Sequence, residues 1–89
     1  MTRDADSLLE FPCDFPVKVI GKAGHDLDAL VFRLVRLHAP DLGEGAIHGR
    51  ASRHGKYYAV TVTLRATSRA QLDAIYRSLS AHEDILMVL

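Results

Sequence analysis

Cysteine occurs once, at Cys13, so the chain closes no internal disulfide and has no second thiol with which to share a metal. Asparagine is absent altogether. No apolar run approaches the roughly 18 residues of a membrane span, and no basic-then-apolar leader opens the chain. Together these absences predict a reducing, cytoplasmic setting with no membrane partner. There is no internal repeat and no low-complexity tract. Acidic side chains are missing from one region only. Between residues 45 and 72 there is no Asp or Glu, while Arg50, Arg53, Lys56, Arg65 and Arg69 all fall there.

Net charge is zero but unevenly placed. Residues 1–45 carry eight acids against five bases, and residues 46–89 carry three acids against six. This predicts a positive patch on a neutral protein, which in most chains is simply a solvated face. A hydrophobic content of 48% with 25% charged residues is that of an ordinary folded globule. The length of 89 residues admits one domain with one modest core.

The strongest local pattern is Tyr-Tyr-Ala-Val-Thr-Val-Thr-Leu-Arg-Ala over residues 57–66. Tyr58, Val60, Val62 and Leu64 alternate with Tyr57, Ala59, Thr61, Thr63 and Arg65, the period of a strand with one buried and one wet face. Just upstream, His54-Gly55 fits a two-residue hairpin turn with glycine second. That turn pairs Ala51 with Tyr58, Arg50 with Ala59, Gly49 with Val60, His48 with Thr61 and Ile47 with Val62. The register puts Ile47, Gly49 and Ala51 on the core face and His48, Arg50 and Ser52 on the other. A slip of one residue would mix the two faces.

Residues 1–14 read as an N-terminal arm, its first seven residues polar, acidic and frayed, with Pro12 and Pro16 preventing a helix. Residues 15–22 alternate as a first strand, with Phe15, Val17 and Val19 opposed to Pro16, Lys18 and Ile20. A glycine-containing loop over residues 21–25 leads to Asp26, which caps a helix predicted to run to about His38. Leu27, Leu30, Val31, Leu34, Leu37 and His38 form its apolar stripe. Ser68 and Gln71 have the spacing of a capping box, opening a second helix that runs to about Ala81. Residues 85–89 close as a short strand, apolar on both faces. The order strand, helix, strand, strand, helix, strand predicts an α+β, ferredoxin-like βαββαβ sandwich: a four-stranded antiparallel sheet with both helices on one face. Residues 15–89 would form this single domain, with the first and third strands central.

Few residues suggest chemistry. The five histidines are scattered over a loop, two helix ends, a strand and a turn, with no metal spacing among them. Cys13 has no basic neighbour to make it a nucleophile. Gly21, Lys22, Gly24 and His25 lie in a strand-to-helix loop where backbone N–H groups and the helix dipole could hold a small anion. They match neither the phosphate-loop nor the dinucleotide fingerprint, and no cofactor is expected. The sheet face left uncovered by helices presents Lys18, His48, Arg50, Tyr57 and Arg65, the candidate interaction face. RNA-binding modules of this topology stack bases on several aromatics, whereas this face offers only Tyr57. Acylphosphatases share the fold but rely on an asparagine, which the chain lacks.

The chain resembles the YbeD-like family of small, uncharacterised bacterial proteins along nearly its whole length. The resemblance rests on Leu8-Leu9-Glu10-Phe11-Pro12, on Lys18-Val19 followed by Gly21, and on His38-Ala39-Pro40. It continues through Ser52, Gly55 and Tyr57 to Met87-Val88-Leu89, while Ala59 stands where the family tends to place Ser. The resemblance implies a fold similar to ACT-type regulatory domains and no established activity. ACT domains commonly bind small metabolites at the loop after the first strand, here residues 21–25, but their Asp followed by Pro-Gly is missing from it. The expectation is a non-enzymatic binding or regulatory module, acting through its open sheet face on a protein partner or through that loop on a small metabolite. The alternative is a nucleic-acid-associated protein using the positive hairpin around residues 48–65.

Overall fold

The structure is a computed structural model and describes residues 10–24, 26–52 and 55–89. The acidic opening of the chain, His25, Arg53 and His54 lie outside the described residues, and with them the expected fraying and the centre of the hairpin turn.

The elements follow the expected order: β1 (Cys13–Lys22), α1 (Leu27–Arg36), β2 (Ile47–Ala51), β3 (Tyr57–Ala66), α2 (Arg69–Ser80) and β4 (Ile85–Val88), with a short 3₁₀ turn at Glu44–Ala46 before β2. They form one antiparallel sheet in the order β2-β3-β1-β4, with β1 and β3 in the centre. The fold is the ferredoxin-like βαββαβ arrangement.

Alternation dictates the core. Val17 and Val19 of β1, and Val60, Val62, Leu64 and Ala66 of β3, are all buried, while the residues that alternate with them face out. Against them pack Leu27, Leu30, Val31 and Val35 of α1 and Leu72, Ile75 and Leu79 of α2. The hairpin register is the expected one, from Ile47 opposite Val62 to Ala51 opposite Tyr58. Ser52 N–H donates to Tyr57 O at 2.8 Å, and Gly55 N–H to Ser52 O at 3.1 Å.

β1 begins at Cys13, two residues earlier than its apolar alternation indicates, because it pairs with β3 along all ten residues. Pro16 is tolerated within it for a geometric reason. The Lys18 N–H points towards β4, donating to Leu89 O at 3.1 Å. The Pro16 nitrogen has the same parity and points the same way, past the last β4 partner, so no ladder bond is lost.

α1 is shorter than expected. Asp26 caps it by accepting from Ala29 N–H at 3.4 Å, but it ends at Arg36. Pro40 disfavours helical backbone at Ala39. The last turn tightens instead, with His38 and Ala39 N–H both donating to Val35 O. Leu37, whose backbone is still helical, is nevertheless 69% exposed and outside the buried stripe, while Leu34 and His38 are half-buried. At α2, Ser68 accepts from Gln71 N–H at 3.1 Å, and the Gln71 carbonyl oxygen accepts from Thr67 N–H at 2.7 Å rather than from Ser68. The Gln71 amide donates to His38 O at 2.8 Å, joining the end of α1 to the start of α2.

Candidate functional site

The face of the sheet away from the helices is built from cross-strand rows set by the pairing. One row reads Arg50, Ala59, Ile20, Met87 across β2, β3, β1 and β4. The next reads His48, Thr61, Lys18 and Leu89, the last fixed by the reciprocal Lys18–Leu89 backbone bonds at 3.1 and 2.7 Å. Tyr57 and Lys22 form a third pair at the hairpin end. With strands about 4.8 Å apart, each four-strand row spans about 14 Å.

Ala59 shapes the centre of this face. Its methyl group lies between the long side chains of Arg50 and Ile20, so the surface dips there. A trough of about 630 Å³ results, lined by Lys18, Ile20, Arg50, Ala51, Ser52, Tyr57 and Ala59. A second hollow of about 370 Å³ continues from it past His48 and Thr61, sharing Lys18, Arg50 and Ala59. Of the predicted interaction residues, Lys18, His48, Arg50 and Tyr57 are therefore brought together.

Arg65 is not with them. It sits at the far end of β3, where its guanidinium meets the Asp14 carboxylate at 3.3 Å. Asp14 is the only acidic side chain among the described strand residues of this face.

Of the four residues expected in the loop after the first strand, Gly21 and Lys22 instead end β1, held there by pairing with Tyr58 and Tyr57. Gly21 is buried and packs the strand end: a Cβ there would lie 2.7 Å from Asp84 O and 3.0 Å from Leu27. Lys22 is exposed beside Tyr57, Gly24 is exposed with φ 96°, and His25 lies outside the described residues.

Two features escaped the sequence reading. Met87 and Leu89 join the open face, 51% and 59% exposed, beside Ile20. Residues 85–89 are apolar throughout, so alternation carries no signal there; only pairing with β1 decides which side each takes. The second is a cleft of about 460 Å³ at the opposite end of the sheet from the hairpin, between the turn after α1 and the start of α2. Asp14, His38, Asp41, Thr63, Arg65, Thr67 and Gln71 contribute its polar side chains. His38 Nε2 is tied to Ser78 Oγ at 2.8 Å, so its ring is engaged in joining the helices.

On the core side of β2, the Tyr58 hydroxyl donates to Asp28 Oδ2 at 3.2 Å. Burial first, and then the Asp28 carboxylate, push the Tyr58 phenol above its ordinary pKa. Burial does the same for Tyr76, partly offset by Arg69. Among the described residues no cluster of three or more His, Cys, Asp and Glu could hold a metal, and no helix is long and apolar enough to cross a membrane.

Fold and face together define a small ferredoxin-like protein with one uncovered, cationic sheet surface. The solution structure of protein HP0495 from H. pylori matches with a TM-score of 0.69 and 14% identity, over 91% of this chain and 85% of that one, which establishes the shared fold. Residues 6–89 match the family described as protein of unknown function DUF493, and the chain belongs to that family. Among its relatives, a UPF0250 protein of Chromobacterium violaceum is 46% identical over 89 residues, the full length of both chains. The UPF0250 protein NE1487 of Nitrosomonas europaea is 42% identical over 94% of this chain and 97% of its own. The resemblance to the YbeD-like proteins is thereby a family membership.

Proposed function

We propose that this protein is a non-enzymatic binding module, ACT-like in architecture and regulatory in role, that receives a negatively charged segment of a partner protein on its open sheet face. The observation that carries this reading is the placement of Arg50 opposite Ala59 and of Lys18 diagonal to it around one trough, with His48 and Tyr57 beside them and the one acidic side chain among the described strand residues of the face engaged elsewhere by Arg65. Cations around a shallow trough attract carboxylates and steer their approach. Arg and Tyr are also enriched among residues that dominate binding energy, and Arg50 and Tyr57 are diagonal neighbours here.

The shape of the surface favours a macromolecule. A small ligand is normally held in a pocket that buries most of its surface. The trough around Ala59 is open, so a metabolite lying in it would stay largely in water. The end of β1 and the loop after it offer less, since Gly21 is turned into the core and Lys22 is exposed on the strand beside Tyr57.

Titration of the labelled protein with poly-glutamate, followed by amide NMR, tests the reading. Shifts should centre on Lys18, His48, Arg50 and Ala59, and the double variant Lys18→Glu/Arg50→Glu should abolish them. Shifts centred on residues 21–26 would move the site to the loop, and shifts confined to the chain ends would remove the open face from consideration.

A further inference from the structure

The open face is not uniformly cationic. In both rows polar or cationic side chains over β2 give way to aliphatic ones towards β4: Arg50 to Ile20 and Met87 in one, and His48 and then Lys18 on β1 to Leu89 in the other. Five large hydrophobic residues are exposed among those described, and three of them, Tyr57, Met87 and Leu89, share this one face. A concentrated apolar strip of this kind beside a charged one marks a surface that another molecule covers.

We propose that the segment received on this face is an acidic amphipathic helix of a partner protein. Its carboxylates meet Lys18 and Arg50, and its aliphatic side chains cover Ile20, Met87 and Leu89. This rests on the open-face reading above and adds the chemistry of the partner. The dimensions agree, because a helix with its side chains is about 10–12 Å across and the rows span about 14 Å. Charge complementarity favours this occupant over a second copy, which face to face would bring two cationic surfaces together. It is also favoured over single-stranded nucleic acid. Successive bases need several aromatic platforms, and Ile20, Met87 and Leu89 offer none.

The test uses the full chain and a synthetic helical peptide bearing Glu along one flank and Leu along the other. It is compared with the same peptide carrying Ser for Leu, and with oligothymidylate. Affinity is read by fluorescence anisotropy and the footprint by amide NMR. The Leu peptide should bind at least about tenfold more tightly than the Ser peptide. Shifts should extend from Lys18 and Arg50 to Ile20, Met87 and Leu89, and Met87→Ser or Leu89→Ser should erase most of the difference. Equal affinity for the two peptides would overturn the amphipathic inference while leaving the cationic site in place. Binding of neither peptide would overturn both readings. Oligothymidylate binding more tightly than the Leu peptide would assign the face to nucleic acid and overturn the inference. The peptide comparison is made on the unaltered protein, so it holds even if a β4 variant fails to fold.

Discussion

The Tyr58 hydroxyl reaches across 30 residues of sequence to donate to Asp28 Oδ2 at 3.2 Å, and Gly49 lies directly beneath the contact. A Cβ on Gly49 would collide with the Tyr58 hydroxyl, its ring and Asp28 Oδ1. Asp28 Oδ1 is itself buried without a hydrogen-bond partner, so this corner joins β2, β3 and α1 by close packing around a single polar bond.

Gly49→Ala is therefore expected to destabilise the protein by on the order of 1–3 kcal/mol, the range for overpacking a close-packed site. Gly43→Ala and Gly45→Ala, where an added Cβ meets nothing within 4 Å, should be close to neutral. Urea denaturation of the three variants checks this, and equal effects would show that Gly49 is not held by the contact.

The same corner makes stability depend on alkaline pH. Because the folded-state pKa of Tyr58 is raised, the folded protein holds the phenolic proton more tightly than the unfolded chain does. The associated stability is fully present below about pH 10, the ordinary tyrosine value, and is lost as pH rises through the folded value. Tyr58→Phe should flatten that decline relative to the unaltered protein in denaturation midpoints collected from neutral to alkaline pH. A parallel fall in both proteins would assign the alkaline loss to other groups, Tyr76 among them.

The two faces of β3 should respond oppositely to a buried charge. Val62 is fully buried among both helices' side chains, so Val62→Asp should cost about 4 kcal/mol or more. Thr61 lies on the open face between His48 and Lys18, so Thr61→Asp should cost under about 1 kcal/mol. The same Thr61→Asp protein should lose affinity for poly-glutamate, which separates a binding effect from a folding one.

The Arg65–Asp14 pair should contribute little to stability. Its side chains are 62% and 73% exposed, and an exposed ion pair is worth about 0–1 kcal/mol. Asp14→Ala should leave the denaturation midpoint nearly unchanged while freeing Arg65, so that retention on an anionic column at low salt increases. A large drop in midpoint would show that Asp14 supports the start of β1 in some further way.

What the sequence alone determined is what repeats within a few residues. Alternation in residues 57–66 assigned Val62 inward and Thr61 outward, and the hairpin register followed because a one-residue slip would have mixed the faces. The order of elements then led to the sheet order and placed Lys18, His48, Arg50 and Tyr57 on one surface. Tertiary structure decided whatever depends on distant partners. The end of α1 at Arg36 reflects Pro40 and the anchoring of the next turn on α2 through Gln71, and Leu37 faces water although its spacing and backbone are helical. The side chosen by Met87 and Leu89 came from pairing with β1 and from the extra residue at Leu86, since an all-apolar strand has no inward or outward preference of its own. The junction of Tyr58, Asp28 and Gly49 exists only once β2, β3 and α1 have met, because no local pattern relates residues that far apart in the chain.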